Sequence, residues 1–308
     1  MKKFKDIINE SFNEFALDSI IEIKLKKVLL MILADIDYVC RKENISYLLC
    51  AGSVLGAVRH KGIIPWDDDI DIMMFDSEIC KLREAINIHF PSKYCFLSDK
   101  KFRNDPLKFE KIMLLDTKYV ELGCDNLKQP RGIGIDIFPV LGLPNNRFHR
   151  WIKGKYFTLI SPLVSLHFFA FSISRSNAFK IKSKEDRNLR KFIFQRKLLG
   201  LFTFFLPTRV WKWLATKGMF FQDSVLCQFS SIPYGSKRYF GEMHETRLWQ
   251  DIKYIEFEGE KYPIPVNYHE YLNGKYGPDY MKIPDEHKKQ KHFVSEVDFG
   301  PYNNILNE

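Results

Sequence analysis

Apolar residues recur at helical spacing from about residue 17 to 42, with Ile21, Leu25, Val28, Leu29, Ile32, Ile36 and Val39 in phase and many charges on other faces, which predicts a long amphipathic helix. Ile45 to Leu49 reads as a short buried strand, followed by Ala51-Gly52-Ser53, with Ser53 as the expected N-cap of a helix over Val54 to His60. Asp69 to Phe75 alternates acid with apolar residue before turning wholly apolar, the pattern of a strand. Ser77 to His89 reads as a helix, and 93–98, 108–115, 117–122 and 133–139 as further strands. Tyr254 to Tyr262 has the form of a hairpin with Glu258-Gly259 near its turn. Strands interleaved with a few helices predict an α/β or α+β mixed sheet flanked by helices.

The middle of the chain follows a different rule. Between Asn145 and Ala215 fifteen Lys and Arg residues face only Glu185 and Asp186, a net of +13 in a chain whose total is +9, so the rest is mildly acidic. Inside this segment Tyr156 to Ser174 carries no formal charge and is rich in Phe and Leu, and its nineteen residues approach the length of a membrane span. Pro162, His167 and several serines weigh against a span. Leu198 to Leu206 is a second apolar piece, leading to Val210-Trp211-Lys212-Trp213. Basic residues interleaved with Trp and Phe suit a membrane interface; a buried helical hairpin with a solvated basic face is the alternative. The composition shifts divide the chain into 1–145, a mainly helical basic segment over 146–235, and a small C-terminal module over 236–308.

Length and composition narrow the class. The 308 residues, 45% apolar and 28% charged, suffice for a large core and argue against disorder or coiled coil. Six cysteines without CxxC spacing suggest free thiols in a reducing compartment, not a zinc site or a disulfide scaffold. The opening MKKFKDIINESFNEF lacks the apolar run of a secretory signal, so a cytoplasmic location is expected.

Chemistry concentrates in Trp66-Asp67-Asp68-Asp69-Ile70-Asp71. Strand alternation would put Asp69 and Asp71 on one face, where two carboxylates repel unless a cation lies between them. Ile135-Asp136-Ile137 repeats the apolar–acid–apolar pattern, and an ionised Asp on an inner strand needs a partner or a metal. Asp69, Asp71 and Asp136 are therefore the candidate metal ligands and catalytic carboxylates; a solvated acidic turn is the competing explanation. Upstream, Gly52-Ser53 opens a helix whose amides can cradle phosphate. Arg59, His60 and Lys61 either support that phosphate or neutralise the neighbouring acids.

Residues 45–75, ISYLLCAGSVLGAVRHKGIIPWDDDIDIMMF, resemble the signature of the LicD family of phosphotransferases, which has a nucleotidyltransferase-like fold and is related to the fukutin group. Asp136, in GIDIFPVLGLP, falls where that fold has its third carboxylate. Phe257-Glu258-Gly259, Ile264-Pro265, Tyr271-Leu272, Tyr276-Gly277 and Pro284, with a basic run to His292, extend the similarity through the tail. Residues 146–235 resemble the family least, and Ser53 stands where Thr is frequent.

The resemblance implies transfer of a phospho-alcohol, phosphocholine foremost, from a CDP-linked donor such as CDP-choline to a hydroxyl of a cell-surface glycan (a lipopolysaccharide or teichoic acid), with release of CMP. It implies Mg²⁺ (or Mn²⁺) on Asp69, Asp71 and Asp136, and a phosphate held by Gly52, Ser53, Arg59, His60 and Lys61. Asp136 is the expected acceptor of the hydroxyl proton. Lys111 is a further phosphate candidate or else a surface strand lysine. Trp66 either stacks on the base or the choline cation or packs in the core. If the glycan is lipid-linked, the basic Phe-rich segment would hold the enzyme peripherally at the inner face of the membrane. A nucleotidyltransferase on the same fold would instead release pyrophosphate. A nucleic-acid binder is disfavoured, because the aromatics of the basic segment cluster in apolar runs and form no evident stacking platform.

Overall fold

In the computed structural model, residues 11–12, 15–98, 105, 107–127, 131–216, 226–285 and 293–306 are described. The basic run from 286 to His292, and most of the first fourteen residues, lie outside them.

The first long helix, α1 (Ser19–Lys42), begins where the Asp18 carboxylate accepts from the Ile20 and Ile21 amides, and it ends on Arg41 and Lys42, charges that suit its two poles. Its buried stripe, Leu25 through Val39, packs on a mixed sheet. The first strands of that sheet are β1 (Leu48–Leu49) and β2 (Asp71–Phe75), each followed by a helix, α2 (Ala51–His60) and α3 (Asp76–His89). There follow β3 (Tyr94–Phe96), β4 (Glu110–Leu114), β5 (Lys118–Glu121) and the ten-residue β6 (Gly134–Leu143). Strand order is β1-β2-β6-β4-β3, with β2 and β6 parallel and the other pairs antiparallel. The expected class, a mixed α/β sheet flanked by helices, is what forms. Two local expectations shift: β1 is confined to two residues, and α2 starts at Ala51 rather than Val54.

The basic segment is helical: α4 (Arg147–Phe171), α5 (Asn177–Glu185), α6 (Arg187–Leu201) and α7 (Thr208–Ala215). The helical stretch 147–175 is long and apolar enough to cross a membrane, but 44% of its most apolar window is buried in the protein, α6 and α7 lying against α4. The chain then returns to the sheet through β7 (Phe229–Ser231), which pairs with the far end of β6 and with β8 (Met243–Glu245). Short helices α8 (Arg238–Gly241) and α9 (Arg247–Gln250) flank β8.

The predicted hairpin is β9 (Ile252–Phe257) and β10 (Glu260–Pro265). Glu258 and Gly259, at φ 52° and 85°, form a two-residue turn of the type that matches strand twist. Its tip does more than reverse the chain. The Glu258 carboxylate accepts from the Ile63 amide at 2.8 Å and the Glu258 amide donates to the Lys61 carbonyl at 2.8 Å, fixing the loop that leads into the acids. After it, α10 (Tyr268–Tyr276) packs on α2, and β11 (Val294–Asp298) pairs antiparallel with β5. Phe257, Ile264, Tyr271 and Leu272 share one hydrophobic core with α1, α2 and the central strands.

Candidate active site

The parallel register of β2 and β6 makes Asp71 and Asp136 direct neighbours, and the antiparallel register of β4 and β6 makes Lys111 the partner of Asp136 on its other side. Residues opposite each other share a sheet face, so Asp71, Asp136 and Lys111 form a row across three strands. Ile72 and Ile137, one residue on and wholly buried, take the opposite face. Lys111 Nζ lies 2.9 Å from Asp136 Oδ1 and 3.8 Å from Glu121 Oε1. It is therefore a buried counter-charge and not a surface strand lysine. Burial works against its charge, but the fields of Asp136 and Glu121 outweigh burial and raise its pKa.

Among the described residues, none lies against the Asp71 carboxylate as Lys111 does against Asp136. Burial first, then the charges of Asp136 and Asp67, push its carboxyl up to about 8, against a weaker downward pull from Lys275 and Lys111.

Asp69 is not on the strand. β2 begins at Asp71, and Asp67-Asp68-Asp69 form its irregular approach, so strand alternation does not relate Asp69 to Asp71. One carboxylate oxygen from each of Asp67, Asp68 and Asp69 lies within 4.8 Å of the others. The Tyr119 hydroxyl donates to Asp68 Oδ2 at 2.9 Å. Asp67 is held by its amide, which donates to the Ile64 carbonyl at 2.8 Å. Gly52 leaves room for the Asp67 carboxylate: a Cβ there would sit 2.7 Å from Asp67 Oδ2 and displace it. The positive φ of the turn, 46°, falls on Ala51 instead.

Ser53 does not cap α2. The N-cap is Cys50, without a side-chain bond, and the buried Ser53 hydroxyl accepts from the Asp71 amide at 2.9 Å, tying the helix to the strand that carries the acid. The Ala51 amide donates to the Tyr271 hydroxyl at 3.0 Å, so α10 also clamps this end.

Two adjoining cavities share Asp69 in their walls. The larger, about 800 Å³, is lined by Ala51, Gly52, Arg59, Trp66, Asp67, Asp69, Asp71, Lys275 and Tyr276. The smaller, about 370 Å³, has a charged floor of Asp68, Asp69, Lys111, Glu121 and Asp136, and an apolar wall that includes Leu25, Leu29, Phe169, Ile173 and Phe179. Arg59 is positioned by donating from one terminal nitrogen to the Tyr280 and Lys282 carbonyls at 2.9 and 3.2 Å, and its guanidinium lies 5.7 Å from the Trp66 ring. Trp66 is half-buried and faces this cavity.

Two predicted residues stand apart. His60 packs edge-on against Trp66 at 5.8 Å, its pKa lowered by burial and by Arg59, and it lines neither cavity. Lys61 is the left-handed cap of α2, 73% exposed at its side chain and facing Glu256 at 3.6 Å. Among residues that sequence reasoning left without a role, Lys275 is buried against Glu242 at 2.6 Å and Tyr276 lines the larger cavity. In the sequence that stretch was marked by Tyr271-Leu272 and Tyr276-Gly277, without a role for either Lys275 or Tyr276.

Among the described residues the carboxylates close enough together to share an ion are Asp67, Asp68 and Asp69, of which Asp69 alone belongs to the expected set; they offer oxygen donors only, and Asp71 sits beside Asp136 and Asp67, like charges that a cation would relieve. Both features fit a hard divalent ion.

Residues 44–175 match the family described as LicD/FKTN/FKRP, nucleotidyltransferase domain. The chain is 27% identical over 291 residues, 90% of its length, to lipopolysaccharide cholinephosphotransferase LicD of Haemophilus influenzae, covering 98% of that protein. It is also 48% identical over 52 residues to an uncharacterised protein of Rickettsia prowazekii, 17% of this chain and 20% of that one. The row of Asp71, Asp136 and Lys111 lies inside the matched span, as do the acids before β2 and the glycine-led helix beside them. Residues 44–175 are thus similar to the nucleotidyltransferase domain of the LicD family, and the similarity to one LicD protein runs over 90% of the chain.

Proposed function

We propose that the protein transfers a phospho-alcohol, phosphocholine foremost, from a CDP-linked donor to a hydroxyl of a cell-surface glycan and releases CMP. The observation that supports this best is the acidic row at the junction of two cavities, which gives a donor and an acceptor separate approaches to one set of carboxylates. The similarity to a protein named for cholinephosphate transfer to lipopolysaccharide agrees with it.

In this proposal the donor occupies the larger cavity. Arg59 and Lys275 offer positive charge to its diphosphate, and Trp66 offers a flat face to the base or to the alcohol's cation. The acceptor hydroxyl enters by the smaller cavity. Its oxygen bonds to the phosphorus that bears the alcohol, the bond from that phosphorus to the bridging oxygen breaks, and CMP leaves with the bond's electrons. Asp136 receives the hydroxyl proton, while Lys111 balances the charge of the row. Asp69, Asp71 and Asp136 would hold Mg²⁺ or Mn²⁺, with Asp67 and Asp68 beside them. Such an ion supplies charge neutralisation for the diphosphate and the leaving group. Ser53 keeps Asp71 in place through its amide.

The test is incubation of the protein with CDP-choline, CDP-ribitol and CDP-glycerol, Mg²⁺ and a glycan acceptor, followed by chromatography for CMP and mass spectrometry of the glycan. CMP release with a phospho-alcohol added to the glycan supports the proposal. Pyrophosphate release from a nucleoside triphosphate, with no CMP from any CDP-alcohol, overturns it in favour of nucleotidyl transfer.

A further inference from the structure

We propose that the loop between α6 and α7 inserts into the headgroup region of an anionic lipid bilayer and docks the protein there. Phe202, Phe204 and Phe205 are 75%, 72% and 61% exposed, and Leu198 and Leu201 beside them are exposed as well. Isolated exposed apolar residues need no explanation, but six within eight positions, Leu199 included, mark a contact surface.

The loop holds these rings outward through a built frame. Thr203, between them, is buried, and its hydroxyl donates to the Gly200 carbonyl at 2.6 Å. The two ring nitrogens of His167 on α4 are hydrogen-bonded to the hydroxyls of Thr203 and Thr208, at 3.0 and 3.1 Å. Trp211 Nε1 donates to the Thr203 carbonyl at 2.9 Å, and the Trp211 ring lies 5.6 Å from that of Phe205. A frame that buries the polar residue and turns out the aromatic ones fits insertion into an apolar layer.

The occupant follows from charge. From Arg187 to Thr216 the chain has seven basic residues and no acidic one, so the helices that carry the tip are uniformly positive. Rings that enter the interface while flanking Lys and Arg meet anionic headgroups are the pattern of a lipid-binding surface. The tip is also close to the site: Gly200 packs directly on Ala170, and the adjacent Phe169 lines the smaller cavity. Docking would hold that cavity beside the membrane, where a lipid-linked acceptor resides. The proposal goes beyond the catalytic one and is tested without substrate, so either can fail alone.

The experiment is flotation of the full chain with phosphatidylcholine vesicles, with and without about 30% phosphatidylglycerol, at about 0.1 M and about 1 M salt. The expected result is binding to the anionic vesicles that weakens at least tenfold in high salt. F202S/F204S/F205S, with an unchanged melting temperature, should bind about a hundredfold more weakly. R190Q/K191Q/K197Q/R209Q, at exposed positions, should lose the preference for anionic lipid by a similar factor. No binding by the wild type, or binding by the triple serine variant equal to the wild type, overturns the proposal. So does a dimer in sedimentation velocity that the triple substitution separates without any vesicle binding, since a second copy would then be the occupant.

Discussion

Asp71→Asn tests the electrostatic core of the site. In an unfolded chain an aspartate titrates near 4, whereas in the folded protein burial, Asp136 and Asp67 push Asp71 up to about 8. The folded state therefore holds this proton more tightly than the unfolded state. The associated stability is fully present below about pH 4 and is lost as pH rises to about 8. Roughly four units at about 1.4 kcal/mol each give a loss on the order of 5 kcal/mol across that window.

Metal-free wild type should accordingly melt about 8 °C lower at pH 8.5 than the same protein freed of this one charge, at about 1.5 °C per kcal/mol for a chain of 308 residues. Asn keeps the shape and leaves the Asp71 amide free to donate to Ser53 as before. Scanning fluorimetry in chelator should show Asp71→Asn melting higher than wild type at pH 8.5 and close to it at pH 5. Mg²⁺ should raise the wild-type melting temperature chiefly at the high-pH end, where the carboxylate is ionised, and should raise that of the variant much less. Turnover of the variant should fall about a thousandfold or more. A metal-free variant that melts below wild type at pH 8.5, or a wild-type response to Mg²⁺ that is the same at pH 5 and pH 8.5, would refute the reasoning.

Three further outcomes follow from the same geometry. Lys111→Met leaves Asp136 beside Asp71 without its counter-charge and should cost about 3–5 kcal/mol in denaturant titration. Gly52→Ala puts a methyl 2.7 Å from Asp67 Oδ2, so the Mg²⁺ concentration for half-maximal activity should rise about tenfold with little change in secondary structure by circular dichroism. Glu258→Ala removes the acceptor of the Ile63 amide and should cost about 1–3 kcal/mol while lowering kcat/KM, although Glu258 lines neither cavity; Glu258→Gln should recover part of both.

What the sequence could disclose was whatever a short window encodes. The Ile-Asp-Ile of 135–137 announces an acid on an inner strand, and the Asp69–Phe75 alternation announces another, because period-two patterning is local. That the two strands would be parallel neighbours in register is decided by the whole sheet; two acids each in need of a partner suggested only that they would meet. The sequence did not disclose how the neighbouring charges are distributed. Lys111 reads as a phosphate candidate or a surface strand lysine until the antiparallel register of β4 sets it against Asp136. Ser53 reads as a cap because serine before a helix usually is one, but the hydroxyl serves the Asp71 amide, eighteen residues on, and the helix begins earlier without it. The roles of Glu258 and Lys275 depend on a hairpin and a helix about two hundred residues from the acids. No periodicity carries such information. The acids of the proposed site are thus legible from local pattern, and the residues that position them are legible only from topology. Substitutions at Ser53 and Glu258 should therefore act through the placement of Asp71 and of the loop before Asp67, and leave the carboxylates themselves intact.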